Sequence, residues 1–305
     1  MASVNGLPIS IKGSLDDSLY ISAIIAEDGL SQVPMIQVEL ATKDTNIGLK
    51  DFLGEHYQLE VGEGDSFREF SGYCTEAEYL GTQSNWALYG LTLHPFMWFL
   101  TKTKNSRVFQ GLKIEEIFDK ILKDHGFDHD LDVQLGDPTM KRDYCVQYRE
   151  TDFDFISRLM EEEGVFYHFD FKGGQGKMVL SNASSRLPDF DGISKLEYAA
   201  AAQGQADPYQ QLYKWSSEQR VVTGKVSLND YDFERPKAKL ETATEIAQGS
   251  HKFNKIESYD YQSHIPSGGD GKNLTRVSVQ SHAALAATWR GETDLCHVTV
   301  GKMFS

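Results

Sequence analysis

Apolar and polar residues alternate with a period of two along much of this chain. Ile36, Val38 and Leu40 are separated by Gln37 and Glu39, and Tyr57, Leu59 and Val61 by Gln58 and Glu60. Tyr89, Leu91 and Leu93 repeat the pattern, as do Val165, Tyr167 and Phe169, Val226 with Leu228, and Val298 with Val300. Such spacing predicts strands with one apolar and one polar face, as in antiparallel sheets wrapped round a core. Gly72, Gly81, Gly224 and the run Gly173-Gly174-Gln175-Gly176 punctuate them.

The pattern shifts to a helical period in few places. Ile114, Ile117, Phe118, Ile121 and Leu122 follow the i, i+3, i+4, i+7, i+8 template, and Gly126 stops the run, so a helix is expected from about Leu112 to His125. In a second helix, over 152–163, Phe153, Ile156, Leu159 and Met160 share one face. There Asp152 is placed to accept a backbone N–H at the start, and Gly164 to close the end. A third, rich in alanine and serine, is expected from about Asn273 to Trp289. Both strong helices fall between 104 and 170, so a β-rich segment precedes a mixed one. AAAAQGQADP at 199–208 reads as a linker before a second β-rich segment. The expected division is 1–103, a first β-barrel; 104–206, an α/β domain; and 207–305, a second β-barrel. REFSGYCT (68–75) and RVVTGKVS (220–227) share a faint Arg-x-x-[Ser/Thr]-Gly pattern that hints at duplication.

Charge and cysteine usage narrow the classes. A formal net charge of −15 over 305 residues argues against a basic surface for nucleic acid or anionic lipid. Cys74, Cys145 and Cys296 are odd in number and widely spaced, which fits reduced thiols. MASVNGLPIS shows no basic segment followed by an apolar run, so no cleaved leader is expected, and no apolar stretch approaches the roughly 20 residues of a membrane helix.

Candidate chemistry is sparse. His125 and His129 have the spacing of a zinc helix, but Gly126 interrupts it and no third ligand follows. GGQGK at 173–177 lacks the offset of a phosphate loop, and Met178 stands where Ser or Thr would be needed, so it reads as a hairpin turn. There is no GxSxG elbow. No catalytic, cofactor-binding or metal-binding residues are assigned. Trp86, Trp98, Trp215 and Trp289 read as core or interface packing, and the Glu161–Glu163 run as a solvated helix end on which Arg158 can pair with Glu161 or Glu162.

The most specific stretch is RDYCVQYRETDFDFISRLMEEEGVFYHF at 142–169. Its Arg142, Tyr144, Gln147, Tyr148, Glu150, Asp152, Asp154, Phe155, Ile156, Arg158, Leu159, Glu161, Glu162, Glu163 and Gly164 reproduce the signature of the VgrG family, the spike proteins of type VI secretion, which the chain resembles. The resemblance continues in Phe52-Leu53-Gly54, in Arg68–Cys74 with cysteine in place of valine, in LHPFMWFLTKTKNSRVFQGLKIEEIFDKIL (93–122), and in TGKVSLNDYDFERP (223–236). It implies a mainly β fold like a phage tail hub, with two related β-barrels flanking a mixed α/β domain, and a structural role for the signature residues rather than catalysis. It further implies a homotrimer that joins an Hcp-type tube protein to a membrane-piercing spike. Baseplate components and effector or spike-tip proteins would be its other partners, with no nucleic acid, membrane anchor or cofactor. Such a protein is cytoplasmic during assembly and then exported by the apparatus. Family members continue, near where VGKMFS (300–305) lies, into an OB-like domain and a β-helical spike, so the chain reads as a hub fragment or a naturally short hub. A contractile phage tail hub (late control protein) and an effector-bearing enzyme are the alternatives.

Overall fold

The computed structural model describes residues 2–4, 7–15, 19–63, 66–127, 130–190, 198, 212–233, 235–261, 271–293, 295–296 and 298–303. They form two compact units. The first comprises Met1–Arg158, Val165–Lys195 and Leu295–Ser305, and the second Leu159–Gly164 and Leu196–Asp294.

The first unit opens with seven strands, β1 (Ala2–Val4), β2 (Leu7–Lys12), β3 (Tyr20–Glu27), β4 (Met35–Thr42), β5 (His56–Glu63), β6 (Ser66–Gln83) and β7 (Trp86–His94). They form one antiparallel sheet in the order β1-β2-β5-β6-β7-β4-β3. The sheet curls until β1 lies beside β3. The period-two pattern is obeyed: Ile36, Val38, Leu40, Leu59, Tyr89, Leu91 and Leu93 point inward and are buried, while Gln37 and Glu39 face out. A short helix α1 (Met97–Leu100) buries Met97 and Leu100.

Next come β8 (Lys104–Phe109), α2 (Ile114–His125), β9 (Leu131–Gln134), β10 (Cys145–Thr151), α3 (Asp152–Glu163), β11 (Phe166–Asp170) and β12 (Lys177–Ser181). β8 and β10 make a two-stranded antiparallel ribbon, and β12 pairs antiparallel with β11 and parallel with β9. α2 buries the expected five residues and ends at Gly126, whose φ of 78° is the left-handed closing conformation. The glycine run at 173–176 is the turn of the β11–β12 hairpin. Along β11 the alternation fails, because Tyr167, His168 and Phe169 are all buried. Val298 and Val300 do not form the expected strand. Their segment lies back on the first unit: the Val298 carbonyl accepts from Arg68 Nη1 at 2.9 Å, the Met303 N–H donates to the Pro188 carbonyl at 2.9 Å, and Phe190 N–H to the Met303 carbonyl at 3.0 Å.

The second unit holds β13 (Leu212–Gln219), β14 (Lys225–Asn229), β15 (Thr242–Glu245), β16 (Glu257–Tyr261), α4 (Gly271–Ala283) and β17 (Ala287–Thr293). β13 and β17 form a two-stranded ribbon; β14 pairs antiparallel with β15 and parallel with β16. The third helix therefore ends at Ala283, not at Trp289. ATWRGET, with its β-branched and aromatic residues, pairs with β13 instead. Arg68–Thr75 lies within β6, whereas Arg220–Gly224 precedes β14, so the faint echo does not mark equivalent strands. The linker at 199–208 and His129 lie outside the described residues.

Candidate functional site

The signature segment folds into β10 and α3, with β8 and α2 beside it. β10 alternates: Cys145 and Gln147 turn inward, Val146 and Tyr148 outward. Gln147 thereby reaches a buried polar cluster. Its Oε1 accepts from Arg107 Nε at 3.0 Å, and its Nε2 donates to Asp152 Oδ1 at 2.7 Å and to the Glu150 carbonyl at 3.2 Å. Arg107 Nη2 binds the same Asp152 oxygen, and Nη1 binds Asp124 Oδ2 at 2.7 Å. His125 Nε2 meets Asp152 Oδ2 at 2.8 Å. One fully buried carboxylate thus ties β8, α2, β10 and α3 together.

Burial pushes the Asp152 carboxyl toward protonation. The hydrogen bonds from His125, Gln147 and Arg107, with the Arg107 charge, outweigh it and hold the group below the ordinary carboxylate range. Asp152 consequently does not cap α3 with its side chain. That place falls to Thr151, whose hydroxyl accepts the Asp154 N–H at 3.0 Å.

The other signature residues divide between core and surface. Phe155, Ile156 and Leu159 are fully buried, and the Phe155 ring stacks on Phe109 with centroids 5.5 Å apart. Met160 is buried with them, but Phe153 is only half-buried. Arg158 reaches back to Glu150, with Nε at 3.0 Å and Nη2 at 2.8 Å from its carboxylate, donates to the Val146 carbonyl at 2.7 Å, and lies over the Phe155 ring at 5.0 Å. Arg142 N–H donates to the Leu112 carbonyl at 2.9 Å. Glu161 and Glu162 are exposed, but Glu163 is buried, so only part of the acidic run is solvated. Gly164 takes φ 68°, and a Cβ there would stand 2.8 Å from Val277 Cγ2, so glycine is required twice over. Tyr144 and Tyr148 are 63% and 69% exposed.

Sequence reasoning assigned no role to Arg107 and Asp124, and considered His125 only as a metal ligand. The signal for Arg107 was its place in the NSRVFQ stretch. Among the described residues no group of three or more His, Cys, Asp and Glu is placed to hold a metal. Cys74, Cys145 and Cys296 form no disulfide, and burial pushes the Cys74 thiol up to about 11. No described helix is long and apolar enough to cross a membrane.

The family described as phage tail baseplate hub (GPD) matches residues 27–305. The chain belongs to that family. It is 32% identical over 266 residues to the type VI secretion system spike protein VgrG1a of Pseudomonas aeruginosa, covering 87% of this chain and 41% of that protein. It is 34% identical over 247 residues to VgrG1b of the same organism, covering 80% and 33%. The chain therefore spans less than half the length of either relative. The crystal structure of the prophage MuSo2 43 kDa tail protein from Shewanella oneidensis superposes with a TM-score of 0.60 at 11% identity, covering 92% of this chain and 80% of that one, a likeness of fold. The chain is thus a mainly β, phage-tail-like hub protein homologous to VgrG spike proteins, and those matches support a structural role.

Proposed function

We propose that this chain is the hub of a contractile secretion machine, a trimeric adapter between an Hcp-type tube and a membrane-piercing spike. In this reading it is cytoplasmic during assembly, contacts baseplate components and spike-tip or effector proteins, and leaves the cell through the apparatus. The carrying observation is how the signature is used. Gln147, Asp152, Phe155, Ile156, Arg158, Leu159 and Gly164 are engaged in core packing, buried polar contacts and a tight closing turn. A buried carboxylate with both oxygens occupied by donors is a staple, and His125 hydrogen-bonds Asp152 and no hydroxyl or thiol among the described residues. The function is therefore mechanical rather than catalytic, with 1–103, 104–206 and 207–305 as the hub's three working parts. A contractile phage tail hub is the second reading, favoured by the likeness to the MuSo2 tail protein.

The test is to mix the purified chain, and a longer version carrying a spike, with hexameric Hcp-type tubes and image the tube ends. Three copies capping a six-fold end support the adapter; absence of binding by both versions overturns it. Turnover of peptidoglycan, lipid or nucleotide that a single Ser, His or Glu substitution abolishes would overturn the non-catalytic reading.

A further inference from the structure

Among the described residues, nothing covers the outer face of the β8–β10 ribbon. Val108 and Val146 are cross-strand partners there, 53% and 36% exposed, and Tyr148 continues the same face beyond them. Neighbouring apolar pairs left open to water on an acidic chain mark a contact surface more readily than chance. At the next residue the ladder bulges. Arg149 takes φ 55°, a left-handed conformation that strains a non-glycine residue. The bulge turns its guanidinium over the Tyr148 ring, at 6.0 Å. Among the described residues neither Arg149 nor the exposed Lys104 has a carboxylate partner. Tyrosine and arginine are the side chains that most often carry binding energy when an interface covers them.

The complement lies on the seven-stranded sheet. A groove of about 350 Å³ crosses the outer face of β3, β4, β6 and β7. Ile25 and Leu80, 61% and 45% exposed, give it apolar walls. Glu39, Glu76 and Glu78 line it, all exposed, with no cation in the lining and no ion-pair partner among the described residues. One surface is apolar, aromatic and basic; the other is apolar and acidic.

We infer that the β8–β10 face of one copy docks into the carboxylate-lined groove on the seven-stranded sheet of a second copy. Two chains of net charge −15 repel on approach, so copies need a local basic patch to meet, and Arg149 with Lys104 supplies one. The two surfaces share no residue, so the contact is heterologous: each copy offers one of each, and a closing rotation makes a ring. The inference rests on the hub reading only in needing several copies.

Sedimentation velocity of the 305-residue chain across a dilution series provides the test. The wild type should associate reversibly. Arg149→Glu and the pair Glu76→Lys with Glu78→Lys should each weaken association at least about tenfold, the loss expected for a close interfacial charge pair. All three sites are exposed, and an unchanged circular dichroism spectrum will confirm the fold. Combining Arg149→Glu with Glu76→Lys and Glu78→Lys in one chain should restore association, because both signs are then reversed. Association indifferent to all these changes overturns the interface and leaves the hub reading standing. A wild type that stays monomeric at the highest soluble concentration also overturns it. Failure of the hub reading itself appears separately, as loss of tube capping.

Discussion

The seven-stranded sheet and the β13–β17 ribbon are both antiparallel, yet they treat their large side chains in opposite ways. In the sheet, Leu40, Leu59, Leu91 and Leu93 are buried to 2% exposure or less. In the ribbon, Trp215 and Trp289 stand on the same face, opposite Gly291 and Ser217, and are 45% and 58% exposed. The difference is one of closure. A sheet that curls until its edges approach encloses its own core, whereas two strands alone have no inside. Stability should therefore be concentrated in the first unit, and substitutions of equal chemical size should have unequal effects.

The largest effect is expected at the buried cluster. Asp152→Ala leaves Arg107 and Gln147 without their shared acceptor and should destabilise by about 3–5 kcal/mol, the range for removing one partner of a buried pair. Glu292→Gln, on the exposed face of the ribbon, should cost under about 1 kcal/mol. Urea titration of both variants checks the contrast, and equal losses would remove it.

Core truncation comes next. Leu40→Ala in the sheet and Leu159→Ala in α3 should each cost about 2–5 kcal/mol. Trp289→Ser should cost under about 1 kcal/mol, since its side chain is already half in water. A larger loss at Trp289 in unfolding experiments would show that the ribbon has a core of its own.

Acid sharpens the same point. Asp152 titrates lower in the folded chain than in the unfolded one, so its contribution is complete above the ordinary carboxylate value of 3.8 and is lost as pH falls through the lower, folded value. Stability measured from pH 5 downward should fall more steeply in the wild type than in Asp152→Asn, already weakened at neutral pH. Parallel curves would count against the charge-assisted network.

The smallest effect is expected at the end of α3. Glu161 is exposed, so Glu161→Gln should change stability by less than about 1 kcal/mol, read by thermal melting. A greater loss would mean that the acidic run is structural throughout.

Much of this architecture was legible because two simple periods dominate the first unit. Ile36, Val38, Leu40 and the α2 residues announced their buried faces, and Gly126 and Gly164 announced the helix ends. The errors came where pairing decides. The alanine-rich stretch before Trp289 reads as helix, but the ladder with β13 claims Trp289. Val298 and Val300 alternate like a strand, yet that segment is held by Arg68 and by Pro188 and Phe190. At the signature, the VgrG-like pattern names residues but not their partners. Arg107 and His125 lie 45 and 27 positions before Asp152, and one-dimensional spacing carries no record of such meetings.

The returning segment has a mechanical consequence. After the last strand of the second unit the chain returns to the first, to which residues 295–296 and 298–303 belong. Tension applied at residue 303 enters the first unit through the Pro188–Met303–Phe190 bonds and the Arg68–Val298 contact. Those contacts must break before such tension reaches the residues that precede them in the chain. Under the hub reading, a load at residue 303 is therefore taken first by the well-cored unit.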